Sequence, residues 1–467
     1  MGLDRRAFLK MVAGAATVVA VGDGMQEIAA APKAASRPQA RLSQAMSMSH
    51  PRGGHLYMQT NETRNAVIHF RWSANGTLTE VDRMPTGGAG SGELSPIYHI
   101  NRPNHFEGAG SVILTPDRRF LFTTNGGDNS VSSFSVDKDG RLTLLDVKPT
   151  GNPVKGKYKD SAGNLRELSG TAKSLAYAHS TGMLFVVHAF GPDHIRLISV
   201  DGEGKLTARP ERYTVNTHDK TERVPTMAVL SPDGKFLLVG IALDQPPGQY
   251  PDGSQILWVR RPDGTFKVIA ANASDPDGLV VFPVDGNGTL GTPSFRDGGG
   301  AIPFYIAFLH GRPDTFLIGY GASDGVSIGK LDTNGKTTVS APVTIDNSAG
   351  RPSELCWMSV SPDDRTVYTT NFGYSNISSY RINGKGLEIA KDPASPKVPG
   401  DGTYRAINGV VSSGPSDMWL TPDGAYLYQI YGNASKLVGY ATRPAGSLKE
   451  VSSVTIPYNS PQGLAGF

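Results

Sequence analysis

Cysteine is nearly absent: Cys356 stands alone in 467 residues, so no internal disulfide can form and stability must come from packing. It sits in Leu355-Cys356-Trp357-Met358, an apolar stretch that reads as a buried, inert thiol rather than a nucleophile. A strong charge of one sign is missing too. With 45 basic and 42 acidic side chains the formal net charge is +3, and no basic stripe interleaves with aromatics, so nucleic acid is not an expected partner. Beyond the N-terminus no apolar run reaches the roughly 18 residues of a membrane helix, so the processed chain is expected to be soluble and without a membrane partner; a monomer is expected as well. What is plentiful is turn chemistry. The 56 Gly and 33 Pro make up about a fifth of the chain, against a usual ~12%, which points to many turns rather than long helices. This length suggests two or three domains at roughly 100–200 residues each, but all-β units often run longer as one.

The N-terminus carries the most specific short signal. Asp4-Arg5-Arg6-Ala7-Phe8-Leu9-Lys10 leads into an apolar run from Met11 to Val21, and Ala29-Ala30-Ala31 offers small residues to a peptidase. Arg-Arg-x-Phe-Leu-Lys resembles the twin-arginine export signal except at Asp4, where Ser or Thr is usual. Residues 1–31 are therefore expected to be removed on export to the periplasm or beyond, and 32–45 to form a flexible leader. Residues 46–467 then remain as one domain.

An internal repeat sets the fold. Leu114-Thr115-Pro116-Asp117, Leu230-Ser231-Pro232-Asp233, Val360-Ser361-Pro362-Asp363 and Leu420-Thr421-Pro422-Asp423 each run into an apolar strand. Looser copies precede Leu56-Tyr57-Met58, Leu184-Phe185-Val186 and Phe316-Leu317-Ile318, making seven. Each copy continues through a polar gap into an alternating run, such as Ser130–Val136 or Ile195–Val200, and then an Asp-Gly or Asn-Gly hairpin. The unit is a four-stranded antiparallel sheet, and seven of them predict an all-β, seven-bladed β-propeller. Phe266–Asn272 before Gly278–Phe282 reads as one further strand pair, taken as a hairpin inserted in blade four at about 241–300 rather than an eighth blade. The last residues, Ser460–Ala465, resemble the start of an inner strand and should complete the first blade, removing the ring's free edges.

The phrase Gly-x-x-Pro, an apolar inner strand, then Ser/Thr-Pro-Asp-Gly-x-x-Leu-Tyr-Val resembles the lactonase family of seven-bladed propellers. That family includes one type of 6-phosphogluconolactonase and the carboxymuconate lactonising enzymes. The resemblance implies a carboxylic ester hydrolase or a lactonising cyclase with a lactone-type ligand; the arginine-bearing loops described below suit a small anionic ligand, and no cofactor is expected. Export argues against 6-phosphogluconolactone itself, which is made in the cytosol. Residues preceding each inner strand in that family line one channel mouth, and one is commonly His; the positions matching here are Ser111, Ser174, Met227 and Asp417.

The densest polar cluster is His99-Ile100-Asn101-Arg102-Pro103-Asn104-His105-Phe106-Glu107, directly before the inner strand of blade two. Opening a lactone needs a base to activate water and a positive donor for the oxyanion. His105 or Glu107 suits the base, and Arg102, with His99, suits ligand binding. Arg351-Pro352-Ser353-Glu354 forms a second cluster, adding Arg351 for binding and Glu354 for catalysis, while Arg223 and Asp417 occupy matching places in their blades. His188 and His194 make only a weak metal pattern and read better as a hydrogen-bonded loop pair, so no metal is expected. The alternative function is a non-catalytic exported propeller that binds a ligand, polysaccharide or protein at the channel mouth.

Overall fold

A computed structural model describes residues 53–467 except 99, 153–156, 160–164, 168–169, 245–257, 261–265, 269–275, 346–352 and 407. The expected export segment 1–31 and leader 32–45, together with His99 and Arg351, lie outside the described residues.

The repeat becomes seven antiparallel sheets. Blade two is typical: Val112–Leu114, Phe120–Asn125, Ser130–Val136 and Leu142–Pro149 pair in that order from the centre outward. Each inner strand contacts the inner strand of the next blade, and the sequence of contacts closes on itself, which makes the ring. The chain's end supplies the inner strand of blade one: Gln462–Gly466 pairs with Gly53–Gln59 antiparallel, Leu56 facing Gly466 and Met58 facing Leu464. Apolar clusters lie between neighbouring blades, as where Phe185 and Val187 of blade three meet Leu237 and Val239 of blade four. Second strands such as Phe316-Leu317-Ile318 are therefore buried on both sides and read as continuous apolar runs.

Turn chemistry explains the repeated phrase. In Thr115-Pro116-Asp117-Arg118 the Thr115 hydroxyl donates to Asp117 at 2.6 Å and accepts the Phe120 amide at 3.1 Å. Ser231, Ser361 and Thr421 repeat both bonds. The fourth position has φ between +56° and +72° and is Arg118, Gly234, Asp364 or Gly424, the left-handed region where Gly costs least. Outer hairpins share another device. The carboxylates of Asp137, Asp201, Asp285 and Asp332 each accept the amides two and four residues on.

In blade four, Leu279–Pro283 is the third strand, paired with Phe236–Leu243. The expected pairing of Phe266–Asn272 with Gly278–Phe282 is thereby corrected: Phe266–Val268 pairs instead with Trp258–Arg260. A short two-stranded insertion thus sits between the second and third strands, and Leu279–Phe282 belongs to the blade because it is sandwiched by its neighbours.

Strands alternate in direction, so connections alternate between two faces. The Thr-Pro-Asp turns and Asp-Gly hairpins occupy one. The other receives every connection into an inner strand and every connection from second to third strand. Long segments, including Thr86–Ser111 and Asp392–Gly414, therefore gather on a single face.

Candidate functional site

The segment before blade two folds back on itself. Leu94–Ser95 pairs with Ile100–Asn101, and the Arg102 amide donates to the Glu93 carbonyl at 2.9 Å. A tight turn follows, with left-handed backbone at Asn104 and Glu107. It carries the Arg102 guanidinium inward, 2% exposed as a residue, to an ion pair of 2.9 Å with Glu107. The Arg102 Nε donates to the Pro103 carbonyl at 3.2 Å. The rings of Tyr98, Tyr404 and Phe372 surround it at 4.7, 5.5 and 5.7 Å from the guanidinium carbon, each geometry a cation–π contact. Burial pushes the Glu107 carboxyl above its ordinary pKa, and the charges of Arg102 and Lys173 oppose the rise. Lys173, itself fully buried, donates from Nζ to the carbonyls of Phe106 at 3.3 Å and Glu107 at 3.1 Å. Desolvation brings its amine down to about 7 against the opposing pull of Glu107.

Glu354 comes from the opposite side of the ring, one residue before the inner strand Leu355–Val360. Asp324 fixes its backbone: Oδ1 accepts the Glu354 amide at 2.8 Å and the Ser353 hydroxyl at 3.1 Å, and Oδ2 accepts the Ser353 amide at 3.0 Å. One Glu354 oxygen accepts the Asn408 amide at 3.0 Å. Burial still dominates and raises the carboxyl to about 8, although that bond and Arg102 pull it down. A carboxyl poised between acid and base near neutral pH is suited to moving protons.

Arg102, Glu107 and Glu354 line one recess of about 540 Å³, its open mouth included. Blade four contributes Val224, Ala242 and Leu243 to the wall, blade five Ile302 and Phe304, and blade six Cys356 and Phe372. Burial raises the Cys356 thiol well above its ordinary pKa, which keeps it protonated. Backbone strain concentrates here. Asn104, Glu107, Ile302 and Glu354 line the recess with φ between +47° and +58°, and Asp324, which holds the Glu354 backbone from outside that lining, has φ +49°. For β-branched Ile302 this conformation costs about 1–3 kcal/mol, and such strain tends to collect at functional sites. Ile302→Asn, whose side chain tolerates left-handed backbone, should keep the midpoint of thermal unfolding within a few degrees while removing apolar wall. Calorimetry checks it; a loss above ~2 kcal/mol would show that the strain is not there to be relieved.

The other residues marked in the sequence lie elsewhere. His105 is buried beneath the loop, its Nδ1 donating to the Arg102 carbonyl at 3.4 Å, and desolvation lowers its pKa to about 3; it does not line the recess. Arg223 turns away to Asp244 at 3.2 Å and to the carbonyls of Val215 and Asp277. Its neighbour Val224 faces the recess instead. Asp417 lies deeper in the channel, accepting the Gly463 amide at 2.9 Å, and burial raises it to about 7. His188 donates to the His194 carbonyl at 3.1 Å, and His194 donates to the Arg223 carbonyl at 2.8 Å. Both rings serve local structure. Sequence reasoning missed Tyr98, which shares the Arg102 loop, and Tyr404, Phe372, Lys173, Asp324 and Asn408, which the ring brings to the site.

A family model described as a lactonase, seven-bladed β-propeller, matches residues 47–154. An uncharacterized protein of Staphylococcus saprophyticus is 21% identical over 344 residues, covering 72% of this chain and 80% of that protein. A putative 6-phosphogluconolactonase from Bacteroides uniformis superposes with a TM-score of 0.58 at 15% identity, over 89% of this chain and 100% of that one. The periplasmic gluconolactonase of Pseudomonas aeruginosa gives 0.55 at 16% identity, over 89% of this chain and 99% of that one. At these identities the solved structures agree on the fold.

Proposed function

We propose that this chain is a lactonase of the seven-bladed propeller type, exported by its twin-arginine-like segment, that opens a cyclic ester in the recess between Arg102, Glu107 and Glu354. The observation carrying the reading is the meeting of a buried guanidinium and a carboxyl raised to about 8 in one apolar-walled recess. The partial family match and the gluconolactonase-like neighbours support the same chemistry. Ionised Glu354 takes a proton from water as the water oxygen bonds to the lactone carbonyl carbon. Arg102, held by Glu107, faces the oxyanion that forms. When the tetrahedral intermediate collapses, the ring C–O bond breaks and the leaving alkoxide regains the proton from Glu354. The product is an open hydroxy acid.

The test is hydrolysis of a lactone panel by wild type and Glu354→Gln. A base acts in its ionised form, so kcat/KM of the wild type should rise with pH through about 8. Glu354→Gln should lose on the order of 100-fold or more and lose that dependence. Stability gives a second readout with its own sign. The folded pKa lies above the unfolded one, so Glu354 favours the fold at low pH and loses that contribution as pH rises from about 4.5 to about 8. The variant should therefore gain stability relative to wild type between pH 5 and pH 9. Full activity in Glu354→Gln sinks the assignment.

A further inference from the structure

We infer that the recess takes an uncharged lactone with an apolar or aromatic body and discriminates against carboxylated or phosphorylated ones. The inference rests on the lactonase reading and narrows its substrate class, away from the anionic ligand that the sequence led us to expect. Among the described residues, both buried cations near the recess are already committed. Arg102 is paired with Glu107 at 2.9 Å, and Lys173 donates to two backbone carbonyls beneath the loop without lining the cavity. An incoming carboxylate would compete with Glu107 for the same guanidinium while approaching Glu354 and Glu107, two groups of its own sign when ionised. A neutral carbonyl oxygen needs only one donor and disturbs neither pair.

The walls argue in the same direction. Val224, Ala242, Leu243, Ile302, Phe304 and Phe372 present hydrocarbon, which suits a flat or aliphatic ring, and the charged side chains beside them are one paired guanidinium and the two carboxyls of Glu107 and Glu354. A neutral lactone with a fused aromatic ring can lie against Phe304 and Phe372 with its carbonyl toward Arg102. Discrimination then comes from what the site lacks for an anion as well as from what it offers the neutral ring.

Calorimetric titration of the purified protein at pH 7 with two non-hydrolysable lactams tests this. One is 3,4-dihydroquinolin-2-one, the other the same ring bearing a carboxylate. The neutral lactam should bind at least 10-fold more tightly. Equal or tighter binding of the carboxylate overturns the inference, and so does failure of the neutral lactam to bind at millimolar concentration. In Glu107→Gln, which frees the guanidinium, the preference should shrink at least 10-fold; if that variant does not fold, the two ligands on wild type decide alone. Hydrolysis of dihydrocoumarin, measured beside the titrations, reports on the lactonase reading separately. Selective binding without turnover would leave the ligand class standing and remove the reaction. Turnover that is equal for neutral and anionic lactones would do the opposite.

Discussion

Deleting the last six residues, Gln462–Phe467, is expected to abolish the soluble, cooperatively folded protein. This segment is the inner strand of blade one and, among the described residues, the strand that closes the ring. Its loss would leave Gly53–Gln59 as an unpaired inner edge carrying buried Leu56, Tyr57 and Met58. It would also cut bonds to both neighbouring blades. The Gly463 amide donates to Asp417 of blade seven at 2.9 Å, and Gln462 donates to Asn104, which precedes blade two, at 3.2 Å. At the far end the Phe467 carbonyl accepts the His55 amide at 2.8 Å and the Trp72 indole at 3.2 Å. Each orphaned buried group costs about 1–3 kcal/mol, against a typical total stability of ~5–15 kcal/mol. Exposed edges of this kind also pair with other chains. The expected result is inclusion-body protein, with partial recovery when a peptide covering residues 460–467 is added during refolding. A soluble truncated chain melting within ~5 °C of the full one would contradict closure by this strand.

The ring was legible because each blade must solve the same turn problem. In blades two, four, six and seven a hydroxyl, a proline and an aspartate fix the link between inner and second strands, so the solution repeats in the sequence there. Blade five shows the limit, since Arg312-Pro313-Asp314 has neither the Ser nor the Thr, and only the run after it marks the strand. Within the site, Arg102 and Glu107 were visible as neighbours in one loop, and Glu354 as the residue before an inner strand. Arg223 was misplaced by a single step. Side chains alternate along an extended segment, so when Val224 faces the recess its predecessor faces away. Asp417 was misjudged in depth. Leu355 and Pro415 hold equivalent positions, facing Asn371 and Tyr431, so Asp417 lies three residues further along its strand than Glu354 does. At about 3.3 Å per residue that is roughly 10 Å down the channel. Tyr404, Asn408 and Asp324 had no local signal, because what makes them part of the site is the ring closing around them.

Arg102→Leu should cost the fold about 3–5 kcal/mol, and adding Glu107→Leu should restore most of it. The single change leaves the Glu107 carboxylate largely buried without its cation, and burial already pushes that group toward its neutral form. An uncompensated buried charge is costlier than the pair is helpful, whereas replacing both partners by hydrocarbon often comes close to neutral. Tyr98, Tyr404 and Phe372 would pack against leucine as readily as against the guanidinium face, losing only their cation–π share. Arg102→Lys keeps the charge without the planar fork and should fall between wild type and Arg102→Leu. A double-mutant cycle on denaturant unfolding measures the coupling, and hydrolysis of the lactone panel is read on the same four proteins. If the double variant regains stability yet hydrolyses nothing, the pair is retained for chemistry, since an apolar core at that position would have served the fold as well. If it stays as unstable as the two losses added together, Arg102 and Glu107 are independent supports of the loop, and the proposed recess loses its oxyanion donor.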